Sequence, residues 1–155
     1  MFRRRVLPSS TLYDQDGFYE AFLRDACRAK KQLIIESPFI TSKRVHVLLP
    51  TFEKLRRRGV EIVINTRNPE EHDGAYQKQA VDAIEAFQSL GVVVLYTVSH
   101  HRKLAIIDNA IVWEGSLNIL SFSDSCEIMR RIASSEEARV MTKFIGVENY
   151  ARRKY

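Results

Sequence analysis

The chain has 155 residues, and its 24 lysines and arginines against 19 aspartates and glutamates give a formal charge of +5. This length predicts one domain, over residues 1–155 with a core at about 17–147, that needs no metal or disulfide to hold its core together. No window approaches the roughly 18 apolar residues of a membrane span, and the basic start at Arg3–Arg5 lacks the apolar stretch of a secretory signal. Because two cysteines make no disulfide framework, we expect a reduced, cytoplasmic setting.

The first part of the chain predicts a helix, a strand and a second helix. Over residues 17–30 the apolar side chains recur at helical spacing, and Leu33–Ile35 is a short apolar run typical of a buried strand. A second helix follows, and Gly59 is placed to end it. Pro50 lies inside this helix, which predicts a kink or a late start.

The alternation continues in the middle of the chain. Val60–Ile64 and Val92–Tyr96 predict strands, and they flank a polar loop at Asn65–Gly74 and a clear amphipathic helix at Ala75–Leu90. Helices and strands in this order favour parallel β-α-β units, with the sheet between layers of helices.

The last part of the chain predicts strands in hairpins, followed by a closing helix. The expected strands are Lys103–Ile107, Ile111–Trp113 and Glu127–Ile132, and the helix runs from Ser134 or Ser135 to about Gly146. An Asp-Asn pair between the first two strands is a turn signal. Together the elements predict an α/β fold, with a mixed β-sheet flanked by helices on both faces.

Positive charge is concentrated in short runs, at Arg3–Arg5, Lys30-Lys31, Lys43-Arg44, Arg56–Arg58, Arg130-Arg131 and Arg152–Lys154. Most of these runs follow predicted helices or strands, so they are explained as solvent-exposed ends of those elements. At the carboxyl terminus of a helix, positive charge is also favourable. The same runs would also suit contacts with a phosphate backbone. Both interpretations remain open from charge alone.

Polar side chains with candidate catalytic roles lie just before and just after the two strands of the predicted hairpin. His101 and Lys103 are two residues apart and share one face of an extended segment, and Ser116 and Asn118 repeat that spacing after the next strand. An imidazole, an ammonium, a hydroxyl and an amide that converge in this way suit a phosphate group. Asp108 has the opposite parity to His101, so either the strand bends or Asp108 is structural.

The spacing of these residues resembles the HKD signature of the phospholipase D superfamily, in the pattern His101-x-Lys103-x4-Asp108-x6-Gly115-Ser116-x-Asn118. Glu127, nine residues after Asn118, resembles the downstream acid of that superfamily. Several fixed spacings matched together are more specific than one short motif. The resemblance covers roughly residues 17–147 and implies the phospholipase D-like fold.

The resemblance also implies a role for each matching residue. His101 is the expected nucleophile that forms a phosphohistidine intermediate, and Lys103 is both catalytic and a phosphate ligand. Asn118 and Ser116 are expected to bind the phosphate, and Glu127 to orient the imidazole and balance its charge. Asp108 and Gly115 are kept as structural residues of the motif.

The chain has a single His-x-Lys pair, although the mechanism needs a second histidine as general acid. Small bacterial nucleases of the superfamily with one motif build their site across a two-fold axis, so we expect a homodimer. The resemblance implies a nuclease that acts on DNA more than RNA, with no membrane partner, no metal and no cofactor. A phospholipase or phosphatidyl transferase, and a catalytically silent nucleic-acid-binding subunit, are the alternatives.

The sequence also predicts the surroundings of three further residues near these elements. His100 precedes the nucleophile on the opposite face and is expected to be a partly exposed neighbour. Cys27 lies beside the apolar stripe of the first helix, so we expect it to be buried. Cys126 either lines the site or packs beneath it.

Overall fold

The computed structural model describes residues 9–147, so the basic runs Arg3–Arg5 and Arg152–Lys154 lie outside the described part of the chain. Within it, strands and helices follow one another in the order β1 (Ser9–Asp14), α1 (Phe18–Cys27), β2 (Gln32–Glu36), α2 (Ser42–Arg57), β3 (Glu61–Thr66), α3 (Gly74–Ser89), β4 (Val93–Tyr96), β5 (Leu104–Ile107), β6 (Ile111–Gly115), β7 (Ile128–Ala133) and α4 (Ser135–Ile145). A single 3-10 turn, Pro69–Glu71, lies between β3 and α3. None of the helices described is long and apolar enough to cross a membrane.

All seven described strands join one mixed sheet in the order β1-β7-β6-β5-β2-β3-β4. The strands β2, β3 and β4 are parallel, and the remaining neighbours are antiparallel. Residues that alternate along the strands pack against α1, α2 and α3 in one apolar cluster and against α4 in a second. The predicted α/β fold, with helices on both faces of a mixed sheet, is therefore confirmed.

A buried aromatic and ionic cluster fixes α1 to the antiparallel half of the sheet. The Trp113 ring of β6 meets Phe18 edge-on, with ring centroids 5.3 Å apart, and its Nε1 donates to Oδ2 of Asp25 at 2.9 Å. Arg131 of β7 donates through Nε to the same oxygen at 2.6 Å. Because β6 leads directly to Ser116, this cluster helps to place that residue.

Sheet register brings several strand ends to one edge. The parallel strands end there at Glu36, Thr66 and Tyr96, and Glu36 pairs with Leu104, the first residue of β5. Gly115, the last residue of β6, pairs with Met129 near the start of β7. The polar segments before β5, after β6 and before β7 therefore meet at this edge.

Most predicted elements are confirmed within a few residues, and the exceptions have local causes. The predicted loop begins too early, because β3 continues to Thr66. The helix α2 starts at Ser42 despite Pro50, so the late start is wrong. Cys27 is exposed rather than buried, because it lies one residue beyond Ala26, about 100° further round the helix.

The strand β1 has no counterpart in the sequence prediction. It pairs with β7 at the edge of the sheet, and all of its residues except Tyr13 are exposed. A polar, mostly exposed edge strand lacks the alternation by which strands are recognised in a sequence.

Candidate active site

The predicted site residues lie in two neighbouring cavities at the edge where the strand ends meet. His101, Lys103 and Ser116 line an open cavity of about 770 Å³. Asn118 and Glu127 line a smaller one of about 210 Å³. A hydrogen bond from the Ser116 hydroxyl to Oε2 of Glu127 links the two groups.

The imidazole of His101 and the ammonium of Lys103 contact each other in the segment before β5. The Lys103 Nζ lies 3.3 Å from Nδ1 of His101 and donates to its main-chain oxygen at 2.8 Å. An ammonium group can only donate, so Nδ1 is the acceptor in this contact. Burial lowers the pKa of Lys103, and the Arg67 charge adds to this, whereas the Glu127 carboxylate opposes it.

Glu127 is held by hydroxyl groups and by the start of β7. Its second oxygen accepts from the Ser125 hydroxyl at 2.6 Å, and its N–H donates to Oε1 of Gln15 at 2.9 Å. Among residues 9–147, neither oxygen of Glu127 accepts a hydrogen bond from the His101 imidazole. In the single chain the carboxylate therefore contacts Ser116 and not the imidazole of His101.

A close approach between β6 and β7 fixes Ser116. Its N–H donates to the Ile128 oxygen at 2.9 Å, and the Ile128 N–H donates to its Oγ at 3.0 Å. A Cβ on Gly115 would lie 2.1 Å from that same Ile128 oxygen. Only a glycine therefore lets the two strands meet as closely as the Ser116 hydrogen bonds require.

Asp108 lies at the opposite end of β5 from His101. Its carboxylate accepts from the main-chain N–H groups of Lys30, Lys31 and Gln32 at 2.8–3.0 Å. Burial alone would raise the pKa of Asp108, but these donors and the Lys31 charge hold it below its ordinary value. The four-residue strand separates it from the site edge by roughly 13 Å.

The prediction that His100 is partly exposed is wrong, because only 3% of its surface is exposed. Its Nε2 lies 3.1 Å from Oε2 of Glu36, a fully buried carboxylate at the end of β2. Arg102 donates through Nε to the same oxygen at 3.0 Å. The sequence prediction included neither Glu36 nor Arg102 in the site. Glu36 could have been identified, because a glutamate at the end of an apolar strand is unusual.

Burial shifts the pKa values of both His100 and Glu36. Burial lowers the pKa of His100 to about 4, and the Arg102 charge adds to this, so the imidazole is neutral near pH 7. Burial raises the pKa of Glu36, whereas Arg102 and the Asn65 amide oppose that rise. His100 therefore serves as a neutral, enclosed neighbour of His101.

Further hydrogen bonds fix the main chain on both sides of His100. Arg67 donates to its carbonyl oxygen through Nε at 3.2 Å and Nη2 at 2.9 Å. Ser99 has a left-handed backbone, with φ of 54°, and its N–H donates to the Glu71 carboxylate at 2.9 Å. The segment that carries His101 is thus held by the residue that follows β3 and by the 3-10 turn.

The side chains gathered here can attack and bind a phosphate. His101 offers a nucleophilic nitrogen, and Lys103 a cation beside it, in a cavity that is open to a large ligand. Ser116 and Asn118 add neutral polar groups. In the described part of the chain, histidine, cysteine and carboxylate side chains form no group of three that could hold a metal ion.

One family model matches most of the chain. The family model described as "Cardiolipin synthase, PLD-like domain" matches residues 23–146. No curated protein matches the sequence.

Solved structures share the fold at low sequence identity. Nuc, a phospholipase D family member from Salmonella typhimurium, superimposes with a TM-score of 0.70 at 18% identity, over 89% of this chain and 91% of its own. NucT from Helicobacter pylori gives 0.69 at 16% identity, over 88% and 92%. TrmBL2, an archaeal chromatin protein that binds DNA, gives 0.65 at 11% identity, over 97% of this chain and 55% of its own.

Proposed function

The chain belongs to the phospholipase D-like family, and from this premise we propose that it is a nuclease that hydrolyses phosphodiester bonds without a metal ion. One observation carries the proposal: His101, Lys103 and Ser116 line a single open cavity at the sheet edge. Nuc and NucT share the fold over nearly their whole length, and the single motif in a chain of this size resembles the small nucleases of the superfamily.

The proposed reaction has two displacements at phosphorus. A ring nitrogen of His101 attacks the phosphorus and forms an N–P bond, while the bond from phosphorus to the leaving oxygen breaks. The leaving oxygen takes a proton from a second histidine acting as general acid. Water then attacks the phosphohistidine and gives a proton to the second histidine, now a general base, while the N–P bond breaks and a phosphate monoester is released.

The other residues of the site stabilise the charge that develops on the phosphate. Lys103 supplies a cation close to His101, and we assign Asn118 and Ser116 to the non-bridging oxygens. Glu127 is proposed to orient the site through Ser116 and to balance the charge on the imidazole. Asp108 and Gly115 are proposed to be structural, given their contacts with the main chain.

A second copy of the chain is proposed to supply the general acid. The other histidine next to His101 is His100, which is buried and neutral, so it is poorly placed to protonate a leaving group in the open cavity. The same cavity is rimmed by exposed apolar side chains, Leu12, Ile128 and Phe144, the last with 77% of its surface exposed. An apolar rim around a polar centre is typical of an interface between proteins, and a two-fold axis there would bring two His101 residues together.

Nucleic acid is the proposed substrate, with DNA tested first. The net charge of +5 favours a polyanion, and TrmBL2, a neighbour in fold, is a protein that binds DNA. Lipid hydrolysis or phosphatidyl transfer is the competing activity, because the matching family model carries the name of cardiolipin synthase.

The test is direct incubation with labelled DNA, RNA and phosphatidylcholine vesicles in excess EDTA, with His101→Ala as the inactive control. We expect DNA to be cut by the wild type, and acid-labile phosphate to be trapped on the protein during turnover. Cleavage of the lipid alone would establish the phospholipase. Binding of DNA with no cleavage in any buffer would establish a silent binding subunit, and activity only with added Mg²⁺ or Zn²⁺ would exclude the proposed mechanism.

A further inference from the structure

The smaller cavity, on the Asn118 side of the site, is lined by Arg44 and by the aromatic rings of Tyr19 and Phe122. The guanidinium carbon of Arg44 lies 3.2 Å from the centroid of the Tyr19 ring. The ammonium of Lys43 lies 3.6 Å from the centroid of the Phe122 ring. A cation–π contact therefore holds Arg44 in the lining of this cavity, and Lys43 is held on the ring of Phe122.

Arg44 differs from the other half-buried arginines in having no acceptor for its guanidinium. Among residues 9–147, no carboxylate lies within 4.0 Å of it, whereas Arg56, Arg67 and Arg131 each donate to a main-chain or carboxylate oxygen. Its Nε is buried and has no hydrogen-bond partner. Burial lowers the pKa of Arg44, opposed by the Tyr19 hydroxyl. A half-buried, unpaired cation is costly, and an anion that reaches it gains a charge-assisted contact.

Arg44 is connected to the segment around Asn118 through the side chain of Tyr19. The Tyr19 hydroxyl beneath it donates to the Ile119 oxygen at 2.6 Å, directly after the phosphate ligand Asn118. Asn118 and Arg44 line the same cavity, so an anion that contacts Arg44 would lie beside the proposed site.

Negative charge in the cavity is the opposing factor. Asp16 and Asp124 also line it, but both are exposed and neither is within 4.0 Å of Arg44. Glu127 is already occupied by the Ser116 and Ser125 hydroxyls. None of these carboxylates pairs with the guanidinium, but their charges oppose an incoming anion, so a phosphate here depends on direct contact with Arg44.

We propose that this cavity is a second phosphate subsite, in which Arg44 binds the phosphate next to the scissile one along a nucleic-acid strand. The inference rests on the proposed function, since it takes a strand whose scissile phosphate lies at His101. A volume of about 210 Å³ is that of roughly seven water molecules and suits a phosphate with part of its sugar. Arginine fits this role because its fork of donors matches phosphate oxygens.

Short thymidine nucleotides test the subsite. The dinucleotide with one phosphodiester is compared with the same dinucleotide carrying an added 5′-phosphate or an added 3′-phosphate. Dissociation constants are measured by titration on the full chain with His101→Ala, which cannot consume the ligand. We expect one of the two added phosphates to tighten binding by about tenfold, as for one hydrogen-bonded ion pair.

Variants of Arg44 then assign the effect. Arg44→Gln should abolish the gain from the added phosphate, and Arg44→Lys should keep part of it because the charge remains. Arg57→Gln is the matched control, since it removes an exposed arginine that contacts only Glu53. With a longer single strand, Arg44→Gln should lower the slope of log Kd against log salt by about 0.7, the value for one lost phosphate contact.

Two results would overturn the subsite: neither added phosphate changes Kd, or the gain survives in Arg44→Gln whose melting temperature matches that of the control. If Arg44→Gln fails to fold, Arg44→Lys decides, because a gain equal to that of the wild type would show that the guanidinium fork is not used. Failure of the wild type to cut any nucleic acid would reject the proposed function, while these binding constants would still decide the subsite.

Discussion

Glu36 and Arg102 form a two-pronged ion pair beside the segment that carries His101. Nε of Arg102 lies 3.0 Å from Oε2 of Glu36, and Nη2 lies 3.0 Å from Oε1. The pair joins the end of β2 to the residues before β5, and His101 lies in the chain between two partners of Glu36, His100 and Arg102. Burying a carboxylate is costly, so its benefit lies in fixing the place of the proposed nucleophile.

Glu36→Gln should lower both stability and turnover. We expect a loss of about 2 kcal/mol in the free energy of unfolding, less than for a wholly buried pair because the Arg102 side chain is 41% exposed. The loss in kcat should exceed any change in KM, because the substrate contacts remain. Urea unfolding and steady-state kinetics measure the two effects. If Glu36 acts through Arg102, the double variant with Arg102→Met should lose less than the sum of the single variants.

His100 should make the stability of the protein depend on pH. Its pKa falls from 6.5 to about 4 on folding, so the unfolded chain binds more protons between these values. The contribution of His100 to the free energy of unfolding is therefore fully present above pH 6.5. It is lost as the pH falls to 4, by about 3 kcal/mol in all. The raised pKa of Glu36 acts in the opposite sense, and the charged side chains that face His100 are those of Arg102, Lys103 and Arg67.

The measurement is urea unfolding from pH 4 to 7.5 for the wild type and His100→Gln. Subtracting the two curves isolates the histidine, and the difference should grow with pH between 4 and 6.5. Parallel curves would mean that His100 titrates normally in the folded protein.

Gly115→Ala should disrupt the site from the β6–β7 contact. The added Cβ would meet the Ile128 oxygen at 2.1 Å and must push apart the strands that hold Ser116. We expect a loss of about 2 kcal/mol in stability, as for an overpacked core, together with reduced activity. Gly74→Ala is the control, since a Cβ there meets nothing within 4 Å. Equal melting temperatures for the two variants would be incompatible with this role for Gly115.

Asp108→Asn should lower stability far more than activity. Its carboxylate holds three main-chain N–H groups at the start of β2, and an amide retains only one acceptor oxygen for them. We expect about 1–2 kcal/mol of destabilisation and a kcat close to that of the wild type at a temperature where both are folded. A loss of activity as deep as in His101→Ala, with unchanged melting, would place Asp108 in the chemistry.

The sequence predicts what depends on neighbours in the chain. The two-residue spacing of His101 and Lys103 and the turn at Asp108 are local patterns, and the hairpin they predict forms. Glu36 and Arg102 are 66 residues apart, and their pairing depends on β5 lying beside β2, which no local pattern specifies. For the same reason, burial of His100 and the stacking of Arg44 on Tyr19 could not be read from spacing.

The shared active site is tested most directly by mixing subunits. Wild type and His101→Ala are combined in equal amounts and refolded together, and exchange is verified with differently tagged chains. Random pairing leaves about a quarter of the dimers wholly wild type. If each site needs His101 from both subunits, activity per total protein should fall to about a quarter of that of the pure wild type. Retention of about half, with exchange verified, would contradict the shared site and mean that each chain works alone.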